Sequence, residues 1–349
     1  MNHFFILLMP KLLFEYARLL RISGLGAFSI GPIFGALSLI NIGVKINFID
    51  IVVLLFITVI SNIYGFVLND YGDIEVDRLS KEPVKRPLVT GVISKKTAIF
   101  ICILSIAIVY ISIFLYFYRD HNSFFIGIFY CTLALILVYI YNIYGKRFIG
   151  SDSLIALSGA IAILFGAYMI SPNGTLSIFT WSFFILEFSQ YFFGNAVVGG
   201  LKDADHDYLR NVKNIALTSG VKVTDDNKIF IPLSFKAFGM GLRLIFAIGA
   251  FIPIIYGVQY KMWEFLLLTI FVIGLLAISV KVLSIKTMEH KDKLIKLGGL
   301  MGILRMSIIP IMLIPLIGLL YSFILLIFPV IWYIIFTPFT GQKLFRHLT

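Results

Sequence analysis

The feature that most constrains this chain is a series of apolar stretches, each about twenty residues long, that recurs along its length. A run of about 20 apolar helical residues crosses the hydrocarbon core of a bilayer, and a helix satisfies its own backbone hydrogen bonds there. Hydrophobic residues make up 60% of the sequence and charged residues 13%, whereas a soluble domain carries roughly 25% charged residues. The sequence therefore predicts an all-α, polytopic transmembrane bundle of about nine helices.

The predicted spans share this length and hydropathy, and they are residues 24–42, 49–69, 97–118, 123–142, 153–170, 176–200, 230–257, 263–280 and 306–328. The chain divides accordingly into residues 1–23, an N-terminal interfacial segment, residues 24–328, the transmembrane domain, and residues 329–349, a C-terminal apolar tail. Charged and apolar residues alternate from Lys11 to Arg21, as in a helix that lies on a membrane. Three prolines between Ile308 and Phe336 leave two alternatives for that region: one kinked span with an interfacial tail, or two spans.

Lys and Arg residues are distributed unevenly between the two sets of loops. The net charge is +11, but the loops on one side contain only Lys45, Arg119 and Lys261. Because cytoplasmic loops carry the excess of Lys and Arg, we expect a multi-pass protein of the plasma (cytoplasmic) membrane whose N-terminus and acidic loops face the cytoplasm. No nucleic-acid-binding signature accompanies the positive charge. We therefore expect membrane lipids around the protein, no nucleic-acid partner and no obligatory protein partner.

A first acidic segment follows the second predicted span and reads NDYGDIEVDR from Asn69 to Arg78. Asn69, Asp73 and Asp77 are spaced i, i+4 and i+8. They form one stripe if the helix of the span continues to this point. The spacing therefore predicts two carboxylates and one amide oxygen on a single helix face.

A second acidic segment follows the sixth predicted span and reads KDADHD from Lys202 to Asp207. Asp203 and Asp207 again lie four residues apart at the end of a helix. If the two segments face each other, four carboxylates and an amide oxygen come together at one end of the bundle. We expect this end to form the mouth of the active site on the cytoplasmic side.

Carboxylates crowded at a membrane edge repel one another, so such a group is tolerable only with cations among them. Oxygen ligands favour Mg²⁺, which shares its coordination shell with substrate phosphates. Flanking cations are available to bind the remaining phosphate oxygens: Arg78, Lys85, Arg86, Lys146, Arg147, Arg210 and Lys213. A diphosphate held at the mouth of an apolar bundle, with its tail in hydrocarbon, describes a polyprenyl diphosphate. Mg²⁺ and the basic side chains would stabilise the departing diphosphate.

Four segments together resemble the UbiA-type intramembrane prenyltransferase family: NDYGDIEVD, KRPLVTG, YNIYGKR, and KDADHD followed by Lys213. The family shows N-D-x-x-D-x-x-x-D after its second span and D-x-x-x-D after its sixth, which are the positions found here. The resemblance extends over roughly residues 15–330. It implies a nine-helix bundle that depends on Mg²⁺ and transfers a prenyl group from a polyprenyl diphosphate, for example geranylgeranyl diphosphate. The acceptor would be aromatic or a lipid phosphate, in isoprenoid quinone or ether-lipid biosynthesis.

The resemblance also implies roles for individual residues. Those implied to hold metal are Asn69, Asp70, Asp73, Asp77, Asp203 and Asp207. Those implied or positioned to bind the diphosphate are Arg78, Arg86, Lys146, Arg147 and Lys213. Tyr141 and Tyr144 match aromatic positions near the reacting carbon and join the four paired aspartates as catalytic residues. At the start of the first span the sequence departs from the family, because Arg21 is followed by Ile-Ser-Gly, and no polar ligand is assigned there.

Two further observations leave alternatives open. Glu187 and Gln190 lie inside the sixth predicted span, where polar groups are costly and usually functional; they either line the pocket or make a packing hydrogen bond. The acidic residues would also suit a cation-coupled membrane transporter, although transporter sites lie near the midplane of the bilayer. A catalytically idle lipid-binding relative is the third reading, and the complete set of motifs argues against it.

Overall fold

The computed structural model describes residues 11–78, 86–119, 122–204, 212–224, 228–287 and 291–340. These residues form a helical bundle with one two-stranded antiparallel β-ribbon, β1 (Lys222–Val223) and β2 (Ile229–Phe230). The helices, in chain order, are α1 (Lys11–Leu19), α2 (Leu25–Phe28), α3 (Gly31–Ser38), α4 (Phe48–Gly72), α5 (Ile74–Arg78), α6 (Pro87–Thr90), α7 (Lys95–Phe117), α8 (Asn122–Tyr144), α9 (Asp152–Ile170), α10 (Ile178–Phe192), α11 (Gly200–Lys202), α12 (Ile215–Thr218), α13 (Leu233–Ile255), α14 (Met262–Leu283) and α15 (Lys291–Phe336).

The predicted all-α membrane architecture is confirmed. Within the described residues, eight helical segments are long and apolar enough to cross a membrane. The chain is therefore an integral, multi-pass membrane protein. The sixth predicted span has a more complex form, because α10 continues as a π-helix over Phe193–Gly199 before α11 begins. Together these three pieces extend the helical path without a gap to Lys202, directly before the second acidic segment.

The C-terminal region contains two helical passes, which decides between the alternatives left open by its three prolines. The helix axis breaks at Gly318, whose φ of 81° favours glycine. Before the break, the Met312 carbonyl accepts a hydrogen bond from the Tyr260 hydroxyl at 2.8 Å. After the break, Trp332 Nε1 donates to the Ile22 carbonyl at 2.8 Å, at the other end of the bundle. Residues 319–336 therefore run back along the bundle, so the predicted span 306–328 and the division at residue 329 do not match the helix bounds.

Close packing between neighbouring spans depends on glycine. A Cβ added to Gly35 would lie 1.9 Å from the Ile163 carbonyl oxygen, and one added to Gly166 would lie 2.0 Å from that of Pro32. Both positions therefore bring backbones into direct contact, as small residues do in membrane helices. This contact fixes the first span against α9.

The first acidic segment and the described part of the second, residues 202–204, lie at one end of the bundle, which we call the motif end. The α4 helix delivers Asp73 to this end, where Lys146, just after α8, contacts it. The Lys213 backbone N–H lies 3.5 Å from the Lys146 carbonyl oxygen, which brings the loop after the second segment to the same place. Since α9 and α10 pack against each other and are joined by a short connection, Asp203 also lies at the motif end.

Candidate active site

The first acidic segment keeps its helical register although the helix is interrupted at Asp73, between α4 and α5. The Asp73 N–H donates to the Asn69 carbonyl at 3.0 Å, and the Asp77 N–H donates to the Asp73 carbonyl at 2.8 Å. Asn69 Nδ2 also approaches Asp73 Oδ2 at 3.4 Å, so Asn69 and Asp73 lie on one side of the helix. A Cβ on Gly72 would lie 2.3 Å from the Asn142 carbonyl oxygen. Glycine at this point therefore lets α4 and α8 meet beside the acidic residues.

Asp70 lies off this stripe and is 3% exposed. Its Oδ1 accepts hydrogen bonds from Arg21 Nη2 and Arg86 Nη1, both at 2.6 Å. Arg21 Nη2 also donates to Asn69 Oδ1 at 2.9 Å. One buried carboxylate thus holds two guanidinium groups from distant parts of the chain, and such charge-assisted bonds are strong when they are shielded from water.

Asp73 faces a lysine. Lys146 Nζ lies 2.5 Å from Asp73 Oδ1, and the Asp73 side chain is 15% exposed. Asn69 Nδ2 donates to Asn142 Oδ1 at 3.2 Å, while Asn142 Nδ2 donates to the Gly65 carbonyl at 3.1 Å. The amide of Asn142 therefore orients Asn69, so that Asn69 and Asp73 are held between α4 and α8.

Asp77 is the least satisfied carboxylate of the segment. Its Oδ2 is buried and has no hydrogen bond with favourable geometry in the described part of the chain, although Arg86 Nη1 lies 3.2 Å away. Burial raises the pKa of the Asp77 carboxyl above its usual value; Arg86 opposes this shift, whereas Asp73 and Asp70 add to it. A buried oxygen in this position is suited to accept a further cation.

Mg²⁺ fits the donor atoms of the first segment. Asn69, Asp73 and Asp77 offer amide and carboxylate oxygens, the ligands that Mg²⁺ takes, and the unsatisfied Asp77 Oδ2 is one of them. The described residues do not gather three His, Cys, Asp or Glu side chains into a preformed metal group, because Arg86 and Lys146 contact these carboxylates. Metal binding at these residues would therefore require the cations to move.

The second acidic segment is described only in part. Asp203 is 42% exposed and its Oδ2 lies 3.4 Å from Lys202 Nζ. Asp207 lies outside the described residues, so its predicted role as a ligand stays a prediction. The π-helix Phe193–Gly199 is separated from Asp203 only by the short helix α11, and single π turns occur often at functional sites.

The basic and aromatic residues predicted for the diphosphate and the reacting carbon lie in surroundings that differ from one residue to the next. Arg78 is exposed and pairs with Glu75 at 3.2 Å. The Arg147 guanidinium lies 5.4 Å from the Tyr144 ring, and Tyr144 is 41% exposed. Tyr141 packs beside Gly145. No contact recorded for the described residues joins Tyr144 to the acidic side chains, and its role near the reacting carbon stays a prediction.

Sequence analysis missed two residues of this site, Arg21 and Asn142. Arg21 was counted only as a topology signal, yet it contacts both Asn69 and Asp70. Its backbone φ of 47° is rare for a residue other than glycine. Asn142 lies within the YNIYGKR segment used for the resemblance, and a polar amide near the end of an apolar span was a signal that could have identified it.

Comparison with known proteins agrees with this geometry. A sequence model of the UbiA prenyltransferase family matches residues 29–309. The chain belongs to this family. Members of the UbiA family are intramembrane prenyltransferases, which confirms the resemblance stated from the motifs.

Two relatives with known names are a protoheme IX farnesyltransferase and a digeranylgeranylglyceryl phosphate synthase. The chain is 32% identical to a protoheme IX farnesyltransferase of Protochlamydia amoebophila over 161 residues, which is 46% of this chain and 54% of the relative. It is 30% identical to a digeranylgeranylglyceryl phosphate synthase of Saccharolobus solfataricus over 165 residues, which is 45% of this chain and 52% of the relative. The match thus spans about half the length of these relatives, and they differ in the acceptor that their names imply.

Solved structures support the fold. A structure from work on digeranylgeranylglyceryl phosphate synthase superposes with a TM-score of 0.66 and 20% identity, covering 89% of this chain and all (100%) of that one. A UbiA homologue from Archaeoglobus fulgidus, bound to GPP and Mg²⁺, superposes with a TM-score of 0.54 and 19% identity, covering 84% of this chain and 99% of that one. At these identities the likeness establishes a shared architecture.

Proposed function

We propose that this UbiA-family protein transfers a prenyl group from a polyprenyl diphosphate, such as geranylgeranyl diphosphate, to an aromatic or lipid-phosphate acceptor. The reaction would serve isoprenoid quinone or ether-lipid biosynthesis. One observation carries the proposal: Asp70, Asp73 and Asp77 each contact a cation from another segment at the motif end. Such a site contains both the acidic groups for metal and the basic groups for phosphate.

The ion pairs suggest how the chain prepares for its donor. Lys146 and Arg86 neutralise Asp73 and Asp77, which would otherwise repel each other. A bound diphosphate offers these cations stronger anionic partners, and Arg is suited to hold phosphate through two parallel hydrogen bonds. Lys146 and Arg86 would then move from carboxylate to phosphate oxygens and free the acidic oxygens for metal.

In the proposed reaction the C–O bond between the allylic carbon and the diphosphate breaks, and diphosphate leaves with the electron pair. A bond forms between that carbon and the acceptor, which loses a proton. Mg²⁺, when bound, supplies positive charge beside the departing phosphate oxygens. Asn69, Asp73, Asp77, Asp203 and Asp207 would hold it.

Arg21 and Asp70 have a related role in this proposal. Asp70 fixes both Arg21 and Arg86, so it acts as a positioning residue for two phosphate-binding groups as well as a candidate ligand. Arg78, Arg147 and Lys213 remain further candidates for the diphosphate, and Tyr141 and Tyr144 for the region of the reacting carbon. We also propose that the motif end faces the cytoplasm, as the distribution of Lys and Arg predicts.

The test uses the purified protein in lipid nanodiscs with radiolabelled geranylgeranyl diphosphate, Mg²⁺ and candidate acceptors. We expect diphosphate release and prenylated product, both abolished by EDTA. Asp73→Asn should lower the rate of diphosphate release by about 100-fold or more, equivalent to about 2.7 kcal/mol of barrier. Glu75→Gln is the matched control, because Glu75 lies in the same segment but is exposed.

Two results would contradict the proposal. A rate that is equal with and without EDTA, or equal in Asp73→Asn and the control, would exclude a metal-assisted site at the first segment. Accumulation of the label inside sealed vesicles without product would favour the cation-coupled transporter instead.

A further inference from the structure

A second group of charged and polar side chains lies inside the bundle, away from the acidic segments. Its members come from α10, the following π-helix, α13, α14 and α15, and they are Glu187, Gln190, Tyr191, Phe193, Arg243, Ser279, Met301 and Arg305. We call this group the inner arginine cluster. The proposed donor site does not use any of these residues. Charged groups at this depth are costly and usually functional.

Arg243 is 1% exposed, and its polar partners are all neutral. It donates to Gln190 Oε1 at 2.5 Å and to Ser279 Oγ at 2.8 Å, and Nη2 lies 3.7 Å from Met301 Sδ. Its guanidinium also lies 3.6 Å from the centre of the Phe193 ring. These dipoles and the ring face stabilise the cation, but none of them cancels its charge.

Arg305 is the second cation of the cluster. Its guanidinium lies 5.4 Å from the centre of the Tyr191 ring, and it is close enough to interact electrostatically with both Arg243 and Glu187. In the sequence, Arg305 lies between the predicted spans 263–280 and 306–328 and therefore belongs to a predicted loop. The structure instead places it within α15, facing the interior of the bundle.

Glu187 is the single carboxylate recorded beside these two cations in the described part of the chain. Its oxygens make no recorded hydrogen bond, and no recorded ion pair brings them within 4.0 Å of a basic nitrogen. Glu187 and Tyr191 are deeply enclosed by protein, yet both keep surface that a water molecule can reach.

A row of aromatic rings connects the inner arginine cluster with the motif end. The Arg21 guanidinium lies 5.2 Å from the Phe66 ring, and the Phe66 and Phe28 rings are 5.4 Å apart. The Phe28 and Tyr191 rings follow at 6.4 Å, and Arg305 lies beyond Tyr191. The rings thus form a continuous aromatic contact between the motif end and the inner arginine cluster.

The charges of the cluster do not balance. Among the described residues the cluster contains two guanidinium groups and one carboxylate, and that carboxylate interacts with Arg305. The cluster thus has a net positive charge in a region where an uncompensated ion is expensive. We infer that the cluster is a second anion-binding site, in which Arg305 receives a carboxylate or phosphate group of the acceptor and Glu187 offsets only part of the positive charge. This inference rests on the proposed function, and it makes the acceptor an anionic molecule. The apolar end of a prenyl chain would be poorly accommodated here.

The two relatives suggest the probes for a test. Protoheme IX carries carboxylates, and its dimethyl ester is the neutral analogue; geranylgeranylglyceryl phosphate carries a phosphate, and geranylgeranylglycerol is its neutral analogue. Each is supplied to the protein in nanodiscs with geranylgeranyl diphosphate and Mg²⁺. We expect product from one anionic acceptor, and at least about tenfold less from its neutral analogue. Which acceptor reacts identifies whether the site takes carboxylate or phosphate.

Two variants separate recognition from general damage, because they change the charge in opposite directions. Arg305→Gln should raise the KM for the anionic acceptor by about tenfold or more and remove the preference over the neutral analogue. Arg305→Lys should recover part of the loss. Glu187→Gln should lower that KM, because it makes the cluster more positive. The KM for the donor should not change in any of them, whereas a merely structural role would impair both substrates.

The inference is overturned if the neutral analogues react as well as the anionic acceptors, if Arg305→Gln keeps the preference, or if Glu187→Gln and Arg305→Gln shift the acceptor KM in the same direction. It is also overturned if diphosphate is released but neither anionic acceptor gives product. Failure of the proposed function has a different signature, namely no EDTA-sensitive diphosphate release in any mixture.

Discussion

At the motif end, Asp70, Asp73 and Asp77 of the first segment form ion pairs with Arg21, Arg86 and Lys146. In the inner arginine cluster, two guanidinium groups face one carboxylate and are otherwise stabilised by an amide, a hydroxyl and aromatic rings. The first region is matched in charge and partly open to solvent. The second has an excess of positive charge and is enclosed.

This difference indicates what each region is prepared to bind. Matched ion pairs can exchange partners when a metal and a diphosphate arrive together, because the incoming charges are themselves nearly balanced. An enclosed arginine without a paired carboxylate has no ion pair to exchange. The negative charge that would neutralise it must therefore come from the ligand. The comparison can be tested by changing one charge at a time.

Among the variants that test this comparison, Asp70→Asn should have the largest effect. Arg21 and Arg86 both depend on the Asp70 carboxylate, and loss of its charge leaves two cations without their shared anchor. We expect diphosphate release to fall by about 100-fold, equivalent to about 2.7 kcal/mol, with a raised KM for the donor. Steady-state kinetics in nanodiscs would measure both. An unchanged donor KM would show that the two arginines do not need this anchor.

An intermediate effect is expected for Arg243→Met. The change removes the buried cation but leaves Gln190 and Ser279 without their partner, which should cost about 1–3 kcal/mol of stability. Thermal unfolding in detergent, followed by intrinsic fluorescence, would detect a lower Tm. The double variant Arg243→Met/Gln190→Leu removes the unsatisfied amide as well, and it should recover part of the loss. No recovery would mean that the arginine charge itself stabilises the bundle.

The smallest effect is expected for Glu75→Gln. Glu75 and Arg78 form an ion pair at the motif end, but their side chains are 73% and 53% exposed. Exposed pairs of this kind contribute about 0–1 kcal/mol, so the Tm should barely move and diphosphate release should stay within about twofold of the unchanged protein. A loss comparable with that of Asp70→Asn would place the Glu75–Arg78 pair inside the working site.

Sequence patterns predicted the elements that depend on local order. The length of each apolar stretch predicted the membrane spans, since a helix needs about 20 residues to cross a bilayer. The i, i+4 spacing placed Asn69 and Asp73 on one side of a helix, and the backbone hydrogen bonds through Gly72 preserve this register. Pro310, Pro315 and Pro329 signalled irregularity, but the break itself lies at Gly318, because a φ of 81° selects glycine.

The sequence did not predict which side chains pair with each other across the bundle. Arg21 and Asp70 are 49 positions apart, and Arg243 and Gln190 are 53 apart. The residues next to Arg243 in the sequence do not indicate that Gln190 is its hydrogen-bond partner. Arg305, by its position between two predicted spans, looks like a basic residue of a loop. Such contacts depend on how the spans are arranged around one another, which hydropathy does not encode.

The sequence by itself determined a multi-pass helical membrane protein of the UbiA family, with acidic and basic residues at the ends of particular spans, because span length and helical spacing act within one segment. Only the tertiary structure decided which cation meets which carboxylate, that residues 319–336 return along the bundle, and that Arg243 and Arg305 come close together inside it. These facts depend on side chains that meet between segments distant in the chain. The physical reason is that charge balance in a bundle is a property of neighbours in space.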